Sequence, residues 1–287
     1  MNQVAVFHAT GAQGHAIAEQ VEAAGFAVRR LSGKAGPGLT HLHSADEAAI
    51  ARALDGTSGA VFTVPQDYRD GAREAYAERV VRASERAGLA RLVVNMGGPV
   101  YEDLDHPISH DLRRNRTIFE SGFVSTVVLQ PTTFLDNLRQ DWAVGSIAQD
   151  GVLPYPTPGQ ARISWISHRS LGDFAAAALR AGTPAGRFRI GGPAPLTAFE
   201  VAEAIGRAAG RKVSFVEVPR EQFAASLNAA FGAPAGDHIA ALYEHLATDP
   251  EAAAIDPAEW APLGVTPEAA DAWAARHDWR VPAAAQA

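Results

Sequence analysis

A short apolar run followed by two closely spaced glycines decides how this sequence folds: residues 4–14 read VAVFHATGAQG. Val4–Phe7 has the β-branched and aromatic character of a buried strand, and Ile17 and Val21 follow it at helical spacing. A strand, a glycine turn and a helix in this order direct backbone N–H groups and the positive end of a helix dipole at one point. The stretch therefore predicts the first strand–helix unit of a sheet that binds a phosphate group.

Strand-like and helix-like segments continue to alternate through the first half of the chain. The further strand-like runs are Phe26–Leu31, Ala60–Val64, Leu92–Asn95 and Ser125–Gln130. Buried β-branched runs separated by helices are typical of right-handed βαβ crossovers and of a parallel sheet covered on both faces. The predicted fold class is α/β, a doubly wound parallel sheet (Rossmann-like) with a smaller C-terminal α/β lobe.

The pattern changes after about Pro131. We assign residues 1–150 to a dinucleotide-binding domain, to which later segments return, and residues 151–287 to a smaller mixed lobe that binds substrate. Prolines at 154, 156 and 158 predict an irregular loop. Strands are predicted at Arg162–Ile166 and Val213–Val218, a capping box at Thr197–Glu200 opens a helix, and the tail after Pro219 is mostly helical.

The composition excludes several classes of function. The 287 residues contain 25 Lys and Arg against 32 Asp and Glu, a formal net charge of −7, and no Cys. This charge argues against nucleic acid or an anionic membrane as partner, and the lack of Cys excludes disulfides and thiolate metal sites. Met1–Phe7 is too short for a signal peptide core, and no apolar run reaches the roughly 18 residues of a membrane span. We expect a cytoplasmic protein with a small-molecule substrate, and its helical tail allows a homodimer.

The glycine turn supplies the first candidate cofactor-binding residues, Thr10, Gly11, Gln13 and Gly14, which would surround the pyrophosphate of a dinucleotide. The regular spacing of three glycines would place another glycine at position 8, where His8 stands. Three interpretations stay open at this point. The imidazole is tolerated and contacts the cofactor near its phosphates, the site binds another anion or binds weakly, or the turn is only structural.

The end of the second strand selects between the two nicotinamide dinucleotides. An acidic residue there would hold the ribose 2′-hydroxyl of NAD, whereas basic residues accept the 2′-phosphate of NADP. The segment contains no acid, and Arg30, Ser32 and Lys34 are the candidate contacts. The sequence therefore favours NADP (NADPH) as cofactor, with solvent-exposed surface cations as the alternative interpretation.

Taken together, these segments resemble the NmrA-like family of atypical short-chain dehydrogenases/reductases. The matching stretches are Ala9–Gly14, Ala53–Gly56 leading to Val61–Pro65, Ser121–Gly122 leading to Val127–Pro131 with Phe134 and Asn137, Trp165–Ser167, Leu171–Ala175, and Gly191–Thr197. The resemblance extends over nearly the whole chain and implies an NAD(P)-binding Rossmann domain with a small substrate lobe. The family includes both reductases and redox-sensing regulators that bind a dinucleotide without turning it over.

On this resemblance, two further segments would flank the adenine, ribose and nicotinamide of the cofactor: Thr63, Val64 and Pro65, and Asn95, Met96 and Gly97. The chain departs from the family at His8, at Gly33, where an arginine is usual, and near His43, where an acid often lies close to the adenine. At each of these positions the fold is preserved and the cofactor contact changes.

Catalytic residues are the weakest part of the resemblance. Short-chain dehydrogenases use a tyrosine whose pKa is lowered by a lysine four residues later. None of the five tyrosines here has such a lysine. The candidate proton donors are therefore His110, which has Asp111 beside it in sequence, and Tyr101. Neighbouring residues of a helix do not face each other, so no His–Asp relay is predicted.

Metal and hydrolase chemistry receive little support. Neither His41-x-His43 nor the set Asp103, Asp105, His106 and His110 has a specific ligand spacing, so no metal site is predicted. A Gly-x-Ser-x-Gly nucleophile turn is also absent from the sequence.

The preferred interpretation is an NADPH-dependent oxidoreductase that reduces a small carbonyl, quinone or enone. Proximity and orientation would supply most of the rate, and the aromatic residues Phe134, Trp142, Tyr155 and Trp165 would line the cleft. Two alternatives stay open. One is a dinucleotide-binding redox sensor without catalysis, and the other is an isomerase or lyase that has lost dinucleotide binding and reuses the cleft.

Overall fold

The computed structural model describes residues 3–42, 46–122 and 124–280. Its strands are β1 (Gln3–Val6), β2 (Ala27–Ser32), β3 (Leu39–His41), β4 (Gly59–Thr63), β5 (Arg91–Asn95), β6 (Thr126–Pro131), β7 (Val152–Tyr155), β8 (Gly186–Ile190) and β9 (Ser214–Glu217). Its α-helices are α1 (Ala12–Ala23), α2 (Glu47–Leu54), α3 (Ala72–Arg86), α4 (Pro107–Glu120), α5 (Asp141–Asp150), α6 (His168–Ala178), α7 (Ala198–Ala209), α8 (Arg220–Phe231), α9 (Ala235–Thr248) and α10 (Ala270–Ala275).

The main sheet has seven strands in the order β3-β2-β1-β4-β5-β6-β8, and every pairing is parallel. Strands β2 and β3 lie on one side of β1, and β4, β5, β6 and β8 lie on the other side. The order therefore reverses between β1 and β4, and a crevice opens there beyond the carboxyl ends of the strands. The predicted doubly wound fold is confirmed.

Helices cover both faces of this sheet. On one face, α1 and α6 bury Ile17 and Phe174 against β1 and β4. On the other face, α2, α3 and α4 bury Ile50, Val80 and Phe119. Helix α6 and strand β8 come from beyond residue 150, so the sheet is completed by segments that return from the second half of the chain.

The remaining segments form a second group around the two-stranded parallel sheet β7–β9, together with α5 and α7–α10. Its core contains Trp165, Trp273 and Trp279, whereas Trp260 packs against Phe174 of the main domain with ring centroids 6.0 Å apart. The boundary at residue 150 stays a prediction. Among the described residues, no helix combines the length and the apolar character that a bilayer crossing requires.

One prediction of local structure was wrong and one was partly wrong. The predicted irregular loop contains Pro156 and Pro158, but Pro154 lies in β7. Among the described strands β7 pairs only with β9, so its other side needs no backbone N–H donor and tolerates a proline. Arg162–Ile166 was predicted as a strand but makes two single bridges, Ile163 with Leu196 and Ile166 with Phe134. These bridges run to different partners, so no continuous ladder forms.

The closest approach between α1 and α6 depends on Gly172. A Cβ atom at this position would lie 2.7 Å from Cβ of Gln20 and 2.8 Å from the carbonyl oxygen of Ala16. We expect Gly172→Ala to lower the free energy of unfolding by about 1–3 kcal/mol, since an overpacked contact must separate the helices. Urea denaturation measures the change.

Gly145 provides a matched control for this substitution. It lies in α5, and a Cβ atom added there meets nothing within 4 Å among the described residues. Gly145→Ala should therefore stabilise the protein by roughly 0.5–1 kcal/mol through helix propensity alone. Equal effects of the two substitutions would contradict the assigned role of Gly172.

Candidate functional site

The turn between β1 and α1 brings a helix start into contact with the end of a strand. A Cβ atom on Gly14 would lie only 2.2 Å from the carbonyl oxygen of His8, so this position excludes every larger residue. Gly11 precedes the helix in an extended conformation and has no side chain with which to cap it. The N–H groups of the first turn are thus available to an anion, which fits a dinucleotide pyrophosphate.

His8 occupies the glycine position in a backbone conformation that favours glycine, with φ of 53°. Its ring packs 5.8 Å from the ring of Phe62 and 6.0 Å from that of Tyr76. Burial lowers the pKa of the imidazole, and its Nε2 atom has no hydrogen-bond partner among the described residues. Burial beside these rings therefore disfavours the charged imidazolium.

Asn95, at the end of β5, joins three of the predicted cofactor segments. Its side chain is fully buried, and Nδ2 donates to Oε1 of Gln13 at 2.7 Å and to Oγ1 of Thr63 at 3.3 Å. Its Oδ1 accepts the backbone N–H of Gly97 at 3.0 Å. The structure therefore brings Gln13, Thr63, Asn95 and Gly97 together at one edge of the sheet.

Other members of the same predicted set face the core. The side chains of Val64 and Met96 are buried under the sheet, and their backbone N–H groups donate to Asn95 and Leu129. Pro65 is half-buried at the start of the loop that follows β4. These residues shape the edge, and any side-chain contact with a cofactor comes from their neighbours.

The end of β2 carries a hydroxyl pair and one exposed cation. Ser32 Oγ lies 3.1 Å from Thr10 Oγ1 and accepts the backbone N–H of Lys34 at 2.9 Å. Nε and one terminal nitrogen of Arg30 donate to the two carboxylate oxygens of Glu22 in α1, at 3.2 and 2.8 Å. The guanidinium group of Arg30 therefore already has a partner. Lys34 is the exposed basic side chain of the three candidates, which makes it the best placed for a 2′-phosphate.

The two predicted proton donors lie apart from this hydrogen-bonded edge. His110 is 43% exposed and pairs with Asp105 at 2.9 Å, in a surface groove lined by residues of α3 and α4. Asp111 pairs instead with Arg73 of α3, so the expected absence of a His–Asp relay agrees with the contacts that both residues make. Tyr101 is buried with its ring 4.6 Å from that of His245, and burial raises its pKa. The catalytic roles of His110 and Tyr101 stay predictions.

A second polar cluster was missed by sequence reasoning. The hydroxyl of Tyr155, at the end of β7, lies 2.6 Å from the hydroxyl of Tyr243 in α9. Asn137 Nδ2 donates to the Tyr155 oxygen at 3.3 Å, and Thr133 hydrogen-bonds to Tyr243. Thr133 follows β6 by two residues, so the cluster stands over the carboxyl edge of the main sheet. No spacing in the sequence could have revealed a pair whose members are separated by 88 positions.

Only part of the aromatic set that was predicted to line the substrate cleft lies at the protein surface. Trp142 is 40% exposed, with its ring 5.7 Å from that of Tyr155. Trp165 and Tyr155 belong to the core of the second group, and Phe134 is buried beside His168. Within residues 3–42, 46–122 and 124–280, no three His, Asp or Glu side chains converge to hold a metal. His43, from the pair considered in the sequence, lies outside the described residues.

Comparison with known proteins identifies relatives across most of the chain. The model of the NmrA-like family matches residues 1–260. A (4-alkanoyl-5-oxo-2,5-dihydrofuran-3-yl)methyl phosphate reductase from Streptomyces griseus is 29% identical over 262 residues, which are 88% of this chain and 90% of the relative. An NAD(P)H azoreductase from Xenophilus azovorans is 33% identical over 148 residues, about half of each protein.

Solved structures share the fold at low sequence identity. A nucleoside-diphosphate-sugar epimerase from Staphylococcus aureus superposes with a TM-score of 0.78 at 17% identity, over 96% of this chain and 100% of the other. An NADPH complex of a quinone oxidoreductase from Escherichia coli gives a TM-score of 0.72 at 16% identity, over 95% and 99%. A triphenylmethane reductase from Citrobacter, complexed with NADP(H), gives 0.72 at 16%, over 96% and 99%.

We expect Lys34→Ala to weaken NADPH binding about tenfold and to leave NADH binding unchanged, because only NADPH carries the 2′-phosphate. Calorimetric titration of both dinucleotides measures the two affinities. Lys212→Ala, at the other lysine of the chain and exposed just before β9, is the matched control. Equal losses for NADPH and NADH would show that Lys34 does not recognise the 2′-phosphate.

The buried imidazole of His8 makes stability depend on pH. Burial lowers its pKa, so the unfolded chain binds a proton more readily than the folded one, and stability is lost as pH falls through the range of a free imidazole. We expect His8→Gly to reduce the difference in unfolding free energy between about pH 7 and pH 5. His8→Gly also relieves the strain of the positive φ, but this contribution to the unfolding free energy is the same at both pH values.

The exposed His15 serves as the control for this measurement. His15→Ala should change this difference less than His8→Gly does, because the His15 side chain is exposed. An unchanged difference in His8→Gly would show that the ring is not held neutral by the fold.

Proposed function

Because the chain belongs to the NmrA-like family, we propose that it is an NADPH-dependent reductase of small conjugated acceptors such as enones and quinones. The observation that carries the proposal is the carboxyl edge of the sheet. There a helix start restricted to glycine at position 14 lies beside the buried Asn95 and its bonds to Gln13 and Thr63. This edge has the N–H groups and the close backbone approach that a pyrophosphate requires.

The residues that would hold the cofactor follow from this geometry. The first turn of α1 would bind the pyrophosphate, Ser32 and Lys34 the 2′-phosphate, and the segment from Asn95 to Gly97 the nicotinamide end. When bound, NADPH supplies a hydride to the acceptor. Asn95 keeps the loops after β4 and β5 at fixed separation, so the acceptor meets a preorganised surface.

The names of the relatives support conjugated acceptors in particular. They are described as reducing an unsaturated lactone phosphate and azo compounds, and the structural neighbours as acting on quinones and triphenylmethane dyes. Each of these acceptors delocalises the electrons that it receives. Such acceptors need less help from a strong acid than an isolated ketone does, which agrees with a sequence that has no lysine four residues after any tyrosine.

A panel of acceptors with matched hydrophobicity tests the proposal. We expect an enone lactone, a quinone and an azo dye to oxidise NADPH, and the corresponding saturated ketone to react at least about 10²-fold more slowly. Loss of reduced nicotinamide absorbance gives the rates, and calorimetry gives NADPH affinity. Comparable rates with the saturated ketone would contradict the preference for conjugated acceptors.

The same measurements separate the alternatives. Tight NADPH binding without turnover of any acceptor would favour the redox sensor. No binding below the millimolar range would remove both dinucleotide-dependent functions and leave the isomerase or lyase.

A further inference from the structure

The four polar side chains Thr133, Asn137, Tyr155 and Tyr243 form what we call the hydroxyl cluster. Thr133 and Asn137 follow β6 of the main sheet, whereas Tyr155 and Tyr243 come from β7 and α9 of the second group. Helix α9 also contacts the loops after β4 and β5, with His238 stacked 5.4 Å from Tyr68. The cluster therefore joins both parts of the molecule at the end of β6, which pairs with β5 in the main sheet. Under the proposed function the nicotinamide would lie at the end of β5.

The available donors and acceptors determine the direction of the hydrogen bonds in the cluster. Tyr155 is fully buried, and its oxygen accepts from Asn137, so its own proton needs an acceptor. Among the described residues, the acceptor for that proton is the Tyr243 oxygen at 2.6 Å. The interaction with Thr133 lowers the pKa of Tyr243, so Thr133 is a donor to the Tyr243 oxygen, and the proton of Tyr243 remains for a further group. Bonds thus run from Asn137 to Tyr155 to Tyr243.

The same bonds distinguish the two tyrosines as acids. Burial raises the pKa of Tyr243 to about 12, and the hydrogen bonds from Tyr155 and Thr133 oppose that rise by stabilising its phenolate. Burial and the bond to Tyr243 raise the pKa of Tyr155 well above its usual value. Tyr243 is therefore the member of the pair that gives up a proton more readily. It is also slightly exposed, at 8%.

We propose that Tyr243 is the proton donor of the reductase reaction, with Tyr155 and Asn137 as positioning residues; this inference rests on the proposed function. The carbonyl oxygen of the acceptor takes the hydrogen bond that the Tyr243 hydroxyl has left to donate. As a hydride arrives at the carbon of the acceptor, the O–H bond of Tyr243 breaks and a new O–H bond forms on the enolate oxygen. The phenolate is held by the Tyr155 hydroxyl until water returns a proton, so each turnover consumes one hydride and one proton.

The charge of the acceptor provides a sharp test. A neutral enone needs a hydride and a proton, whereas a triphenylmethane cation needs only the hydride. We expect Tyr243→Phe to lower kcat for the enone about 10²-fold or more and to change the rate with the cation and the affinity for NADPH less than twofold. The phenylalanine keeps the edge-on ring contacts with Tyr155 and Phe223 but leaves the Tyr155 hydroxyl without its acceptor, so the melting temperature should fall while the protein stays folded.

Two further variants complete the experiment. Tyr101→Phe tests the competing proton donor predicted from the sequence, which is buried in the same core. It should retain enone reduction. Tyr155→Phe removes the donor to the phenolate, and we expect it to lower kcat for the enone with unchanged KM and to increase the solvent deuterium isotope effect.

The outcomes separate this inference from the function on which it rests. An unmodified protein that oxidises NADPH with neither acceptor would overturn both. An active protein in which Tyr243→Phe loses the enone and the cation equally, or loses neither, would overturn the role of Tyr243 alone. If the cation is not a substrate, an enone isotope effect that is the same in the unmodified protein and in Tyr155→Phe would overturn it.

Discussion

The whole edge of the sheet depends on the absence of one side chain. Helix α1 begins directly against the carbonyl oxygen of His8, and a Cβ atom on Gly14 would lie 2.2 Å from it. No rotamer change could relieve this contact, since the oxygen belongs to the backbone and the position of a Cβ atom is fixed by the backbone. With α1 fixed at the end of β1, Gln13 reaches Asn95 and Thr10 reaches Ser32. These two contacts join the helix start to β5 and β2.

The parts of the fold that follow from local pattern were predictable. The glycine turn, the alternation of strands and helices and the return of later segments all leave a periodic or compositional signal in the sequence. Gly14 was recognised from the spacing of the glycine turn, and Asn95 because it stands at the end of a buried strand. Local signals failed where pairing is specific to one partner. Pro154 lies in a real strand, and Arg162–Ile166 is divided between two separate bridges.

The candidate site was only partly predictable, because side-chain partners are set by tertiary contacts. Arg30 lies at the sequence position expected to bind a 2′-phosphate, but two of its guanidinium nitrogens donate to Glu22, eight residues before it. His110 lies in the segment expected to carry a proton donor, but its side chain pairs with Asp105 at the surface. Tyr155 and Tyr243 meet across 88 positions, a distance over which hydrophobic periodicity carries no information.

The hydroxyl cluster shows how a reductase can dispense with lysine. A neighbouring ammonium group stabilises a phenolate by charge, and it does so for any acceptor. In this chain the bond from Tyr155 and that from Thr133 stabilise the Tyr243 phenolate by hydrogen bonding alone, within a core that raises its pKa to about 12. Such a weak acid suits an acceptor that can take the hydride before the proton, because its π system delocalises the charge that arrives. A donor of this kind matches conjugated acceptors, in which charge reaches the oxygen through the π system, better than isolated ketones, which need the proton earlier.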